Sequence, residues 1–404
     1  MKLLQSATCL LLATSAPLAA EGWIDQLDEA LTVSAFGGDA RARLSGTVDL
    51  EGYYFPHAPP GLMEADGDTL FNPRLTLFLD AQLGPRVYAF AQARADQGFD
   101  PREGDLEVRL DEYAIRLTPW DDGRFNLQIG QFATVGGGWI TRHLSWDNPF
   151  INAPLPYENV TGISDWGPPY STPYFARGPG WRKYYYLPVI WGPGYAGGIS
   201  VSGRLGRFDY AAELKNAALS SRPESWSLTE TGFEHPTVTG RLGFRPDPAW
   251  NLGLTASRGS YFRPEAADFL PPGRGLEDYR QLTLGHDISF AWHHWQLWAE
   301  VLASRFGVPR VGNAGTLAGY FEVKYKFTPR LFGALRWNQQ FFSEVPDGLG
   351  GHTAWGDDLW RLDAVLGYRF TPHTQLKLQY SPEHITGGEA GFSHNLAVQF
   401  TLRF

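Results

Sequence analysis

Thiols are almost missing from this chain. Its 404 residues hold one cysteine, Cys9, and that one lies in a leader-like segment. Disulfide scaffolds, cysteine nucleophiles and cysteine-bound metals are thereby excluded from the rest. Long apolar runs are missing too. After residue 20 no stretch approaches the ~20 apolar residues of a membrane helix. Positive charge is in deficit, with 34 Lys and Arg against 43 Asp and Glu and a net charge of -9. That balance excludes nucleic acid as a partner. Among the basic residues lysine is scarce, so the cationic chemistry is that of arginine.

Aromatic residues, by contrast, are abundant: 15 Trp, 18 Tyr and 26 Phe, in a chain whose mean hydropathy is only -0.27. Such a load needs a very large core or an apolar outer face with aromatic girdles. The opening MKLLQSATCLLLATSAPLAA reads as a secretory signal peptide, residues 1–20, cut near Ala20–Glu21. Residues 21–40 read as a lead-in, with Trp23, Leu27 and Leu31 spaced for a short helix.

From residue 41 to 404 the dominant signal is period-two alternation. RLTLFLDAQL sets Leu75, Leu77, Leu79, Ala81 and Leu83 against Arg74, Thr76, Asp80 and Gln82. NLAVQFTLRF, the C-terminal ten residues, alternates through Phe404. Only a half-apolar strand sorts residues this way. Sixteen strands are expected: 41–55, 71–83, 86–96, 104–118, 124–132, 196–205, 208–217, 236–245, 250–260, 279–291, 295–305, 316–327, 330–340, 358–370, 374–381 and 392–404. Tight links rich in Pro, Gly and Asp alternate with long polar ones at 56–70, 97–103, 133–195, 218–235, 261–278, 306–315, 341–357 and 382–391. That is the plan of an all-β, up-and-down transmembrane barrel, with short turns on one rim and long loops on the other. A soluble β-sandwich also alternates, but has no reason to sort its links by length. In LEVRLDEYAIRL the apolar phase slips near Asp111–Glu112, which a β-bulge would absorb. His286 falls on the apolar face, which implies a rim position or a different register.

The inward set carries both signs. Arg74, Asp80, Arg94, Arg109, Asp111, Arg336, Arg361, Asp363 and Arg369 are the expected pore lining, because an outward arginine at mid-membrane would cost ~2–4 kcal/mol. Facing rows of such charges would filter solutes by charge; the bland alternative is a stiff, plugged barrel. Segment 133–195 is far longer than an ordinary connection and too aromatic for disorder. Folded inward, it would narrow the lumen with Arg142, His143, Trp146, Asp147, Arg177, Trp181, Arg182 and Lys183. Packed outside, it would cap the mouth.

Strand number, loop order and terminal Phe404 resemble the general bacterial porins. That resemblance implies a trimer in the bacterial outer membrane, a third long loop in the lumen, and passive diffusion of small hydrophilic solutes or ions, without catalysis or cofactor. Residues 395–404 are similar to the signal read by the barrel-assembly machinery. LDEYAIRL followed by FNLQIGQF, within 106–132, resembles the phosphate-selective porins; that group uses lysine-rich loop segments, and 133–195 contains Lys183 alone. The aromatic loop is similar in kind to sugar-specific porins. Two readings compete with a pore. One is a non-conducting barrel for surface binding or polysaccharide assembly. The other is a lipid hydrolase, since GFSHNLA faintly resembles the Ser/His/Asn set of outer-membrane phospholipases; yet Ser393 and His394 are adjacent and must point to opposite faces of a strand.

Overall fold

In the computed structural model, residues 17–57, 61, 65, 67–97, 106–178, 183–223, 232–387 and 391–404 are described. Sixteen antiparallel strands form a closed barrel. They are β1 (Ala40–Tyr54), β2 (Thr69–Leu83), β3 (Val87–Asp96), β4 (Glu107–Leu117), β5 (Asn126–Phe132), β6 (Ala196–Leu205), β7 (Phe208–Lys215) and β8 (Thr237–Phe244). The second half comprises β9 (Trp250–Ser260), β10 (Arg280–Trp292), β11 (Trp295–Val308), β12 (Gly312–Lys326), β13 (Leu331–Phe342), β14 (Leu359–Arg369), β15 (Thr374–Ile385) and β16 (Phe392–Arg403). Each strand pairs with the next. β16 closes on β1, from Leu396 opposite Tyr54 to Arg403 opposite Thr47. The seam continues one residue further, because Phe404 and Gly46 exchange both backbone hydrogen bonds at 3.0 Å. Gly46 is required there: a Cβ would lie 2.7 Å from the Phe404 ring.

Register sorts the side chains as alternation demands. Leu254, Leu284, Val301, Leu317, Leu366 and Leu378 are exposed on the outer face, while Thr255, Thr283, Glu300 and Gln379 are buried on the inner one. Outward aromatics gather near the short-turn rim, among them Trp250 against Phe290 and Trp295 against Tyr325. The phase slip in β4 is a bulge: Gln92 pairs with Glu112 and Ala93 with Leu110, leaving Asp111 over. His286 keeps its outward register, opposite Leu254 and Val301. It lies mid-strand and not at a rim, where its Nδ1 donates to the Gly253 carbonyl at 2.9 Å. With that nitrogen satisfied, the ring costs less among apolar neighbours than an unpaired one would.

Three links differ from expectation. The stretch 306–315 is no long loop; β11 runs to Val308 and β12 starts at Gly312. The 341–357 link contains a small hairpin, Glu344–Pro346 with His352–Ala354. β15 extends to Ile385. The first difference has a packing cause. Phe306, Val308, Val311 and Ala314 join a buried cluster inside the long-loop end, with Trp191, Tyr261, Phe262 and Trp355. Burial of these side chains rewards further sheet there. The lumen is therefore not polar throughout, as alternation alone had implied.

Before β1, an α-helix α1 spans Pro17–Ala30, across the expected cleavage point, and a short strand Thr32–Ala35 pairs with the start of β1. The His373 ring, in the turn after β14, lies 3.0 Å from Asp25 of α1. The helix is thus docked at the short-turn rim.

Leu254, four residues from Trp250, lies near mid-depth of an apolar belt that is ~25 Å tall in such barrels. Leu254→Arg is expected to lower folding stability by ~2–4 kcal/mol, measured by urea titration of the protein refolded in lipid vesicles.

Candidate functional site: the lumen and segment 133–195

Segment 133–195 enters the barrel and is bonded to its wall on nearly every side. It leaves β5 with the Ala133 N–H donating to Glu112. The Val135 N–H reaches Glu213 on β7 at 3.0 Å. The Gly138 N–H and the Tyr157 hydroxyl both donate to Glu300 on β11, at 3.0 and 2.7 Å. Gly137 has φ +114°, and a Cβ there would collide with the Tyr157 hydroxyl at 2.3 Å, so the GGG run permits this close passage. Further on, the Ile151 N–H donates to Gln379 and the Leu155 N–H to Asn338, while Asn159 donates to Gln340.

The deepest part is held by cations. Lys377 on β15 donates to the carbonyls of Ser145 and Asn148 and to Gln399. Arg336 donates to the Asn152 side chain at 2.8 Å and to the Ala153 carbonyl at 3.1 Å. Arg361 donates to the Ala153 carbonyl at 2.7 Å and pairs with Glu158. Trp146 lies under two guanidiniums near the short-turn rim, Arg369 at 4.9 Å and Arg403 at 4.0 Å. The segment therefore passes from the long-loop rim almost to the opposite end. Its apolar side packs on the wall as well: Trp139, Ile140, Tyr157, Val189 and Ile190 bury against Leu302 and Tyr320.

The residues singled out in the sequence take different places. Arg336, Arg361 and Asp363 point inward but are completely covered by the segment. Arg336 bonds Glu322 and Asp363, and Arg361 bonds Asp363; these residues hold the segment and do not line water. Arg74 pairs with Asp49 and Glu51 of the neighbouring strand. Arg94 pairs with Asp111 at 2.9 Å, and Arg109 with Asp96 at 2.6 Å and Asp111 at 3.1 Å. The charges thus pair sideways along the wall, on β1 to β4, instead of facing one another in rows. Asp80 stands apart, taking a hydrogen bond from Tyr88. Arg142 is buried against Glu322 at 2.6 Å and stacks on Trp298. Asp147 is exposed beside Trp146, and Arg177 is exposed near the long-loop rim. Lys183 donates to the Gly61 carbonyl at 2.9 Å. Trp181 and Arg182 lie outside the described residues.

His143 closes a directed chain. Gln92 donates to the Tyr195 hydroxyl at 3.1 Å, which lies 2.9 Å from His143 Nε2, while Nδ1 donates to the Ile140 carbonyl at 2.6 Å. Burial pushes this imidazole down to about 4. Burial also pushes the Tyr157 phenol up, with the Glu300 carboxylate adding to it.

Beside this packed material, a cavity of ≈ 270 Å³ remains on the β1–β4 side. Asp49, Glu51, Arg74, Arg94, Asp111 and Glu158 line it, with His143 and Tyr195. A second, of ≈ 310 Å³, lies toward the short-turn rim, between Asp209, Arg241, Asp287 and Trp298. A cleft of ≈ 550 Å³ opens at the long-loop end among Trp166, Tyr170, Tyr174, Tyr185 and Phe269. So part of the aromatic load is buried and part is displayed.

Sixteen strands, a closed seam and a long segment inside the lumen decide the comparison with known structures. The fold is that of the outer-membrane porins. The structure of OmpF from Salmonella typhi in complex with daunomycin superposes with a TM-score of 0.57 at 10% identity, over 92% of this chain and 100% of that one. The anion-selective porin of Comamonas acidovorans gives 0.57 at 11% identity, over 90% and 100%. The outer-membrane channel DcaP of Acinetobacter baumannii gives 0.54 at 10%, over 92% and 99%. No family model and no curated protein matches the sequence. The shared porin fold thus persists with little shared sequence.

Sequence reasoning missed the anchors that matter most: Lys377, Glu300, Glu213, Gln379 and Asn338. Their inward parity was legible, but which loop atoms they meet was not.

Two outcomes are expected. Arg361→Ala leaves Asp363 and Glu158 short of a partner, and breaking a buried pair costs about 3–5 kcal/mol; hydrogen exchange of amides 151–159 is expected to accelerate accordingly. For His143, the folded value lies below the unfolded one of ~6.5, so its contribution to stability is present above that pH and is lost as pH falls toward about 4. In a histidine NMR titration, one imidazole is expected to titrate near 4 and to vanish in His143→Gln.

Proposed function

We propose that the protein is a porin of the bacterial outer membrane, through which small hydrophilic solutes or ions diffuse passively. The long loops face outward from the cell and the short turns face the periplasm. The observation that carries this reading is the cavity of ≈ 270 Å³ left beside segment 133–195, walled by acidic and basic side chains together. A barrel meant only to be stiff has no need of charged residues next to a void. In this reading segment 133–195 is the constriction. It confines the path to the β1–β4 and β16 side, and the carboxylates of Asp49, Glu51, Asp111 and Glu158 outweigh Arg74 and Arg94, favouring small cations. By analogy with the porins the working unit is a trimer, with the last strand serving barrel assembly.

One observation favours a second reading, a non-conducting barrel for surface binding. The opposite arc of the lumen is filled with apolar side chains, including Leu302, Phe306 and Trp355. A hydrolase has no such support: Ser393 pairs with Glu383 in inward register and His394 with Pro382 in outward register, so the two do not meet.

Planar-bilayer recording separates the readings. Stepwise openings and a reversal potential of cation sign are expected in a salt gradient. Asp49→Asn with Glu51→Gln, which frees Arg74, is expected to move the reversal potential toward anions. Deletion of 150–180 is expected to raise single-channel conductance several-fold. Silence of the intact, inserted protein would establish the binding barrel instead.

A further inference from the structure

Charge on the outer face of this barrel is confined to one place. Register turns every Asp, Glu and Lys on the sixteen strands inward, and every Arg except Arg258, Arg280 and Arg305. These three sit on consecutive strands, β9, β10 and β11. Leu282 of β10 pairs with Arg258 on one side and with Arg305 on the other. The two arginines therefore leave the wall at one height, two strand spacings or ~10 Å apart. Arg280 stands between them, two residues nearer the long-loop rim. Extended arginine side chains span such distances, so the three guanidiniums can converge on one anion.

Arg258 and Arg305 are exposed, and among the described residues neither makes an ion pair or hydrogen bond. Arg280 uses Nε on the Glu277 carbonyl at 2.7 Å. The Glu277 carboxylate is directed elsewhere, 3.8 Å from His235.

Their depth identifies the partner. Leu282 lies ten residues along β10 from Trp292, and Arg305 ten along β11 from Trp295. At ~3.4 Å per residue and a tilt of ~40°, ten residues rise ~26 Å, the height of the apolar belt itself. The guanidiniums thus emerge where hydrocarbon gives way to headgroups, on the long-loop side. One step below them the outer face is Ala256, Leu284, Ala303 and Leu317, a smooth surface for acyl chains.

We propose that Arg258, Arg280 and Arg305 form a binding site for the phosphate of an anionic lipid in the external leaflet, with its chains lying on the aliphatic surface below. Guanidinium forks match phosphate oxygens and stay charged at a headgroup boundary. The proposal rests on the barrel spanning a membrane with its long loops outside; it does not require a conducting pore.

The test uses the full chain refolded in neutral detergent, with native mass spectrometry as readout and three probes: diphosphoryl lipid A, its dephosphorylated form, and inorganic phosphate as competitor. The wild type is expected to retain diphosphoryl lipid A and to lose affinity at least about tenfold when the phosphates are removed. Arg258→Gln with Arg305→Gln is expected to lose a similar factor, with heat-modifiable migration and bilayer insertion unchanged, since neither side chain bonds any of the described residues. Equal retention of both lipids by the wild type would overturn the proposal without recourse to the variant. Equal retention by the double variant would overturn it as well. Displacement by millimolar inorganic phosphate would assign the site to a free anion and overturn the lipid assignment. Failure of the wild type to insert into bilayers would instead remove the membrane reading beneath it.

Discussion

A peptide group that meets hydrocarbon without a hydrogen-bond partner costs several kcal/mol, and an open sheet has two edges full of them. The pairing of β16 with β1, carried through to Phe404 and Gly46, removes both edges. The remaining architecture follows from that closure. Antiparallel neighbours share one parity, so a slip of one residue at any seam would turn a whole outward set inward. The single extra residue, Asp111, is absorbed where it stands. Its carboxylate then serves Arg94 on β3 and Arg109 two residues earlier on its own strand.

Closure also creates a lumen lined with charge, and charge without water or partners is expensive. The barrel answers with its own longest connection. Lys377, Arg336 and Arg361 meet loop carbonyls, while Glu213 and Glu300 meet loop N–H groups. A segment with little secondary structure has unpaired groups of both kinds, so wall and segment satisfy each other. The apolar remainder of the segment fills the β9–β13 arc beside Leu302 and Phe306. A cavity is left on the β1–β4 arc, where the paired ions of the wall are not covered by the segment.

Strand existence, strand number and inward or outward parity were legible because each depends on neighbours one or two residues away. The bulge near Asp111 was legible for the same reason. His286 shows how local the rule is: its outward parity holds even though a histidine is an unusual choice at mid-belt. The height of β11 and β12 was not legible, since their extension depends on Trp355 and Phe262, which are distant in sequence. The fate of Arg336, Arg361 and Asp363 was hidden likewise. Parity placed them inside, but only the path of residues 152–158 covers them.

The sequence by itself determined the wall: a two-residue period writes which side of a rolled sheet faces oil, and no distant contact is needed to read it. Only the tertiary structure decided what fills the lumen, which charges are sealed beneath the inserted segment, and that three outward arginines on separate strands gather on one patch of the wall. Those outcomes depend on register between strands and on where a 63-residue connection folds, and both are set by contacts between residues far apart along the chain.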